Sequence, residues 1–390
     1  MAAVLGLRGT GSFDTDARPK NYREGILLLF PNASAPLTAL MSKLGEEAVD
    51  DPVFKWFEKG LPAQTLTMLG AQATTTDTVL LLTAAGGMNK RVKPGHVLLN
   101  TATSEIVWVT DSSTTDQITV DRAQGSVSAT AIGAADVWLV VGSANQEGAS
   151  VGEAITYDPS LVTNYCQIFR NVLNITNTAI ATRIRYADGQ YLKEARREVL
   201  ELHSIEMELA FLFGNANEDT SGEQPSRTTG GLSHFVTTNV QDFGGTVSID
   251  DWEDFLEDVF EDGSSEKLAL VGNRALNTLN KVARNNYTIS ATPESSTYGM
   301  KMTQWITPYG TLQIKQHPLL SKDGFEDWGF VVDTAKLKYR YLRGRDTQYR
   351  ENVQNPGDDA TKNEFLTECG LEINHQTAHG IFKNASAFAA

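Results

Sequence analysis

The side chains best suited to chemistry are few. Of six histidines, His375 and His379 stand four apart, a spacing that on a helix would turn both imidazoles to one side as metal ligands. A metalloprotease helix needs Glu directly after the first histidine, and position 376 is Gln. The residues ahead of His375 alternate as a strand does, so the pair is expected at a surface or sheet edge. His203 lies three residues before Glu206, whereas a carboxylate-bridged two-metal bundle puts Glu three residues before its histidine, and that position is Leu200. His203 is therefore expected to be a packed histidine bonded to a neighbouring acid. Cys166 and Cys369 are the two cysteines, too few for a disulfide framework in 390 residues, and both are expected to be buried, reduced thiols. The sequence has no Gly-x-Ser-x-Gly elbow, and Gly9-Thr10-Gly11 lacks the rest of a phosphate loop. The acids between Asp250 and Asp262 could attract divalent cations, but their spacing reads as the solvated face of an amphipathic helix. No catalytic, cofactor-binding or metal-ligating set emerges, so the chain is expected not to be an enzyme and to need no cofactor. The alternative is a metal-dependent enzyme using His375 and His379.

The element that organises the rest is the stretch 189–214. Its apolar side chains fall at Leu192, Ala195, Val199, Leu202, Ile205, Leu209 and Leu212, the period of one helix face. Such a helix would run roughly 37 Å. Asp188 is expected to cap its start, and Gly214 to end it in the left-handed conformation. Leu200, Met207, Ala210, Phe211 and Phe213 add apolar surface off the main stripe, so the helix is expected to be a strut contacted on more than one side.

Around it the chain changes texture in order. Residues 1–24 are small and polar, an extended arm, and 35–43 form a short helix. The segment 51–60 crowds Val53, Phe54, Trp56 and Phe57 into a piece too short to make a core. The segment is expected to dock either on its own body or on another subunit, and Phe54, Trp56 and Phe57 are candidate contacts between subunits, since interfaces use such aromatic anchors. From 64 to 150 the chain is rich in Thr, Val, Ala and Gly. Strand-like runs at 78–82, 96–100, 105–110, 117–121 and 137–141, separated by turn residues and alternating at 105–110 and 117–121, predict a small antiparallel β domain. The loop 215–229 is expected to be exposed. An acidic helix follows over 248–262, with Asp250 and Glu253 as its capping box. Then come a strand at 267–271, a helix over 274–284 capped by Asn273, strands at 311–316, 329–332 and 336–342, and a last strand over 364–375. No run is long and apolar enough to span a bilayer. The net charge of −15 argues against gripping phosphates or an anionic membrane. No basic, apolar leader opens the sequence, so the protein is expected to be intracellular where it is made.

This ordering, together with DPVFKWFE (51–58), NYCQIFRNVLNITNTA (164–179), HSIEMELAFLFG (203–214), TGGL (229–232) and FLTECGLEINH (365–375), resembles the major capsid proteins of tailed bacteriophages. The resemblance implies an α+β chain with the Hong Kong 97-like fold: N-arm, extended loop, peripheral domain on a long spine helix, and axial domain. By that resemblance 1–62 is the N-terminal arm, and 63–150 is a small β domain inserted in the extended-loop region. Residues 151–234 carry the loop return and the spine helix 189–214, 235–345 form the axial domain, and 346–390 return to the peripheral domain. It further implies a structural protein that self-assembles into hexamers and pentamers, closing an icosahedral shell around double-stranded DNA without sequence-specific binding. Portal and scaffolding or cement proteins would be partners. The implied location is the virion capsid, assembled in the host cytoplasm. An acidic wall would let packaged DNA slide. Some relatives crosslink subunits through a Lys–Asn pair activated by Glu; none of those residues can be placed here, so no crosslink is expected. A bacterial encapsulin-type shell is the alternative closest to this fold.

Overall fold

A computed structural model describes residues 45–72, 74–83, 87–145, 147–148, 154–182, 191–286, 303–321 and 324–389. The expected arm elements before residue 45, the Asp188 cap and the first two residues of the predicted strut lie outside them. The chain divides into two compact units, one of residues up to Trp56 and from Leu161 on, the other Phe57–Ser160. Strands β1 (Glu46–Val49) and β2 (Val53–Glu58) open the described chain. The chain passes between the units through β2 and β9 (Ser160–Tyr165), which pair as a two-stranded ribbon.

The smaller unit holds β3 (Thr65–Thr67), β4 (Val79–Leu81), β5 (His96–Asn100), β6 (Ile106–Asp111), β7 (Gln117–Asp121) and β8 (Val137–Ser143). They pair in the order β3-β8-β5-β6-β7-β4, and a bridge between Met68 and Leu82 joins the two ends. Closure removes the free edges that would otherwise invite pairing with another chain. Alternation decides what is inside: Leu66, Leu80, Leu98, Val107, Val109, Ile118, Val120 and Trp138 fill the interior. Glu105, at the entrance to β6, is fully buried and forms a two-point ion pair with Arg122, with contacts of 2.9 and 2.6 Å.

Among the described residues the larger unit has two large sheets, together with some two-stranded pairings. Its elements are β10 (Gln167–Thr176), α1 (Asn177–Ala181), α2 (Tyr191–Phe213), β11 (Asn217–Asp219), β12 (Ser226–Thr228), α3 (Leu232–Phe235), β13 (Val240–Asp242), β14 (Thr246–Val247) and α4 (Ile249–Glu261). They continue with β15 (Glu266–Val271), α5 (Asn273–Asn286), β16 (Thr303–Ile306), β17 (Thr311–Gln316), β18 (Gly329–Val332), β19 (Leu337–Leu342), β20 (Gln348–Arg350), β21 (Ala360–Ile373), β22 (Gly380–Lys383) and β23 (Ala387–Phe388). The first sheet has the order β1-β19-β21-β10, with β20 also on β21; the second runs β13-β22-β18-β15-β17-β16.

Strand β21 is the first sheet's spine. Its residues Phe365, Cys369, Leu371 and Ile373 are buried, and the last three face the core that α2 covers with Met207, Phe211 and Leu212. The same core takes Leu268, Leu270, Phe330 and Val332 from one face of the second sheet. The opposite face carries Ala269, Val271, Leu312 and Ile314 under Trp252, Phe255 and Val259 of α4 and Ala275, Leu279 and Val282 of α5. Each such large side chain contributes about 1.5–3 kcal/mol by leaving water. The predicted strut is thus packed on two sides where its off-stripe residues Met207 and Phe211 lie, while Leu200, Leu202 and Leu209 remain exposed.

Several expectations change. Gly214 does end α2, but outside the left-handed region. It is glycine because a Cβ there would stand 2.4 Å from the carbonyl oxygens of both Ala210 and Thr229. Helix α4 is capped by Ser248 with Asp251, not by Asp250 with Glu253, since Ser248 alone has its hydroxyl at the helix mouth. The expected open loop 215–229 contains the β11–β12 hairpin, tied by Arg227 to Glu218 at 2.8 Å. The sheets also divide the chain differently from the expected boundary at 345/346. Strand β19 belongs to the first sheet, while β22 crosses back into the second and pairs with β13 and β18.

Candidate functional site

Of the two histidines four apart, His375 is half-buried and His379 is enclosed. His379 is fully buried, contrary to its expected place at a surface or edge. Residues 376–378 form one turn of 3-10 helix, and His375 ahead of it is left-handed at φ 54, so the four-residue spacing is not that of an α-helix. His379 Nδ1 accepts from Asp333 N at 3.2 Å. Burial, and next the charge of Lys267, hold its pKa down at about 4.

Lys267 is itself buried, on β15. Its ammonium donates to the carbonyls of Val259, Asp262 and Ala378 at 2.7, 2.7 and 2.6 Å. The first two lie at the end of α4, where carbonyls lack a helical partner and a cation is favoured. Burial lowers the Lys267 pKa to about 8, against the opposing pull of Asp333 and Asp262. Asp333 is also committed, accepting from Ser264 N and Ala335 N. This centre joins helix end, strand and C-terminal turn, and every charged group in it is occupied by structure.

His203, on α2, is fully buried. Its Nδ1 meets Asn171 Oδ1 at 2.5 Å and its Nε2 meets Thr367 Oγ1 at 2.7 Å. Its partners are therefore neutral, not the acid expected; Glu206 instead accepts from the other end of Asn171 at 2.8 Å. Burial lowers the His203 pKa, with Glu206 opposing. One turn further on, buried Glu208 accepts from buried His317 Nε2 at 2.7 Å, because Leu319 N occupies Nδ1 as an acceptor. These two contacts tie α2 to β10 and β21 on one side and to the end of β17 on the other. Cys166 and Cys369 are free and buried. Burial pushes the Cys166 thiol up to about 12 and also raises Cys369, the opposite of an activated nucleophile. Among the described residues there is no group of three or more His, Cys, Asp or Glu that could hold a metal.

The outer face of β21 was not legible as a site. Glu364, Glu368 and Glu372 recur every fourth residue, each nearly buried beneath arginine. Arg170 pairs with Glu364 at 2.6 Å, Arg345 with Glu368 at 2.5 Å, and Arg340 with both Glu372 and Glu47. The Arg170 hydrogen bond holds Glu364 below the usual carboxylate range. Period two in FLTECGLEI, read as one apolar and one acidic face, was the available signal.

The three aromatic contact candidates separate. Phe54 and Trp56 are 7% exposed and pack with Cys166, Val49, Val162 and Phe235 of the same unit. Alternation along β2 turns Phe57 the other way, 72% exposed. Ile168 and Val172 of β10 are likewise open to solvent. The described residues thus combine enclosed polar ties with apolar side chains on the outside.

The family described as SU10 major capsid protein matches residues 8–386 of this chain. A major capsid protein of Pseudomonas phage PaMx41 is 30% identical over 373 residues, covering 92% of this chain and 87% of that protein. Among solved structures, an encapsulin complex of Synechococcus elongatus is similar at a TM-score of 0.48 with 10% identity, over 99% of each chain. A chain of Microbacterium phage Oxtober96 is similar at 0.46 with 11% identity, over 94% of this chain and 96% of that one.

Proposed function

The chain belongs to the SU10 major capsid protein family, and from that premise we propose that it joins copies of itself into hexamers and pentamers. These close into an icosahedral shell around double-stranded DNA. The observation that carries the proposal is the family match across residues 8–386. In this reading the fold is Hong Kong 97-like and α2 is the spine helix. The first sheet forms the peripheral domain, and the second sheet with α4 and α5 forms the axial domain. The N-arm is residues 1–62, and the barrel is an insertion in the extended-loop region. The particle encloses DNA without reading its sequence, it is built in the host cytoplasm, and portal and scaffolding or cement proteins act with it. The chain works by surface, not by reaction.

The physics supports this. The larger unit gets its stability from buried apolar clusters of its own, so a subunit can fold before it assembles. What it leaves exposed, Ile168 and Val172 among others, gains by being covered, as does Phe57, and obligate assemblies bury roughly 2,000–5,000 Å² per interface. Weak contacts repeated around a closed shell add up even though each costs ordering entropy. The test is the content of purified particles. The proposal expects DNA that co-sediments with the chain and survives nuclease until the particle is opened. Particles that hold protein cargo and no nucleic acid would place the chain with encapsulin-type shells.

A further inference from the structure

The outer end of the second sheet carries an apolar patch that nothing in the described chain covers. The edge strand β16 and the turn after it leave Ile306 70% and Tyr309 49% exposed. The patch is framed by carboxylates. Tyr309 lies beside Glu257, Glu253 and Asp254 of α4, whose charges raise its pKa. The exposed face of α4 is all acid, with Glu253, Asp254, Glu257, Asp258 and Glu261 and no base, and none of these is in an ion pair among the described residues. An apolar centre with a charged rim is the anatomy of a protein interface.

The charge says what would cover it. Helix α5 packs on the same face of the second sheet as α4, and its sequence, NRALNTLNKVARNN, has bases and no acid. Its exposed face presents Arg274 and Lys281. Among the described residues Arg274 has only a long, exposed ion-pair contact of 3.9 Å with Glu326. One chain therefore displays an acid-rimmed apolar patch and a separate basic helix face. Two surfaces that complement each other but not themselves make a head-to-tail contact, and repetition of that contact about an axis closes a ring.

We propose that the Ile306–Tyr309 patch, with its α4 carboxylates, docks the α5 face of a second copy, Arg274 and Lys281 meeting Glu253 and Glu257, and that this contact sets neighbours around each capsomer. The inference rests on the shell-subunit reading and names a surface for it.

The test is a charge swap in the full chain, with wild type beside it. Glu253→Lys with Glu257→Lys puts cation against cation and should cut the fraction sedimenting as capsomers or shells by at least about ten-fold. The thermal transition should stay in place, because both side chains are solvated. Adding Arg274→Glu and Lys281→Glu to the same chain should restore assembly. Shells from the lysine variant in wild-type yield would overturn the inference alone, and so would a swap that fails to rescue while the quadruple variant still folds. No assembly from wild type would overturn the shell reading and this contact with it.

Discussion

Acid should loosen the second sheet through one residue. His379 is held at about 4 in the fold against 6.5 in the unfolded chain. Its folded pKa is depressed, so the unfolded state binds the extra proton. The stability that comes from a neutral His379 is present above pH 6.5 and is lost as the pH falls from there towards 4. At pH 5 the loss is about 2 kcal/mol relative to pH 7, since a tenfold difference in proton affinity between the two states is worth about 1.4 kcal/mol. The assay is amide exchange of peptides covering β15 and β18, corrected for intrinsic rate, in the dispersed full chain. Protection should fall roughly twenty-fold between pH 7 and pH 5. His379→Asn keeps an oxygen to accept from Asp333 N and has nothing to titrate. It should be less protected at both pH values because the ring is lost, and its further fall over that range should be smaller than wild type's. His203, whose pKa is also lowered by burial, is common to both chains and cancels. Equal pH dependence in the two chains would refute the reasoning.

Four further outcomes follow from named residues. Trp56→Ala should cost about 3–5 kcal/mol of folding stability, read as a lower thermal midpoint of the subunit, because the ring is buried with Phe54 and Cys166. Phe57→Ala should leave that midpoint alone and lower the yield of particles; a reversed pattern would contradict the placement of the two rings. Gly214→Ala should destabilise by about 1–3 kcal/mol, since the added carbon meets two carbonyl oxygens at 2.4 Å; an unchanged melting curve would show that the close approach is not real. Glu105→Gln should destabilise the barrel by about 3 kcal/mol or more, because it leaves the Arg122 charge buried without its counter-ion; exchange protection of β6 and β7 reports it.

What could be read from the sequence was what local period controls. The stripe from Leu192 to Leu212 gave the strut, and β5 and β7 fall on the strand-like runs predicted there. Stops and caps were harder, because they depend on neighbours. Gly214 was expected to be glycine for its backbone angle, and it is glycine for the chain that passes beside it. The α4 cap moved to Ser248 because Asp and Ser both suit the role by type and only position decides. The buried polar centres were hidden for a further reason: their partners are far apart in sequence. Lys267 meets Ala378 across 111 positions and His203 meets Thr367 across 164. The partition of β19 and β22 between the sheets was hidden in the same way, since strand pairing follows tertiary closure. Aromatic content marked the segment 51–60 but not which ring points outward; that needed the pleat of β2.

The central claim is that this chain is a shell subunit, and electron microscopy of the purified full chain at high concentration tests it most directly. Rings of five and six copies, or closed particles built from them, are the expected result. A chain that remains monomeric across that concentration range would contradict it.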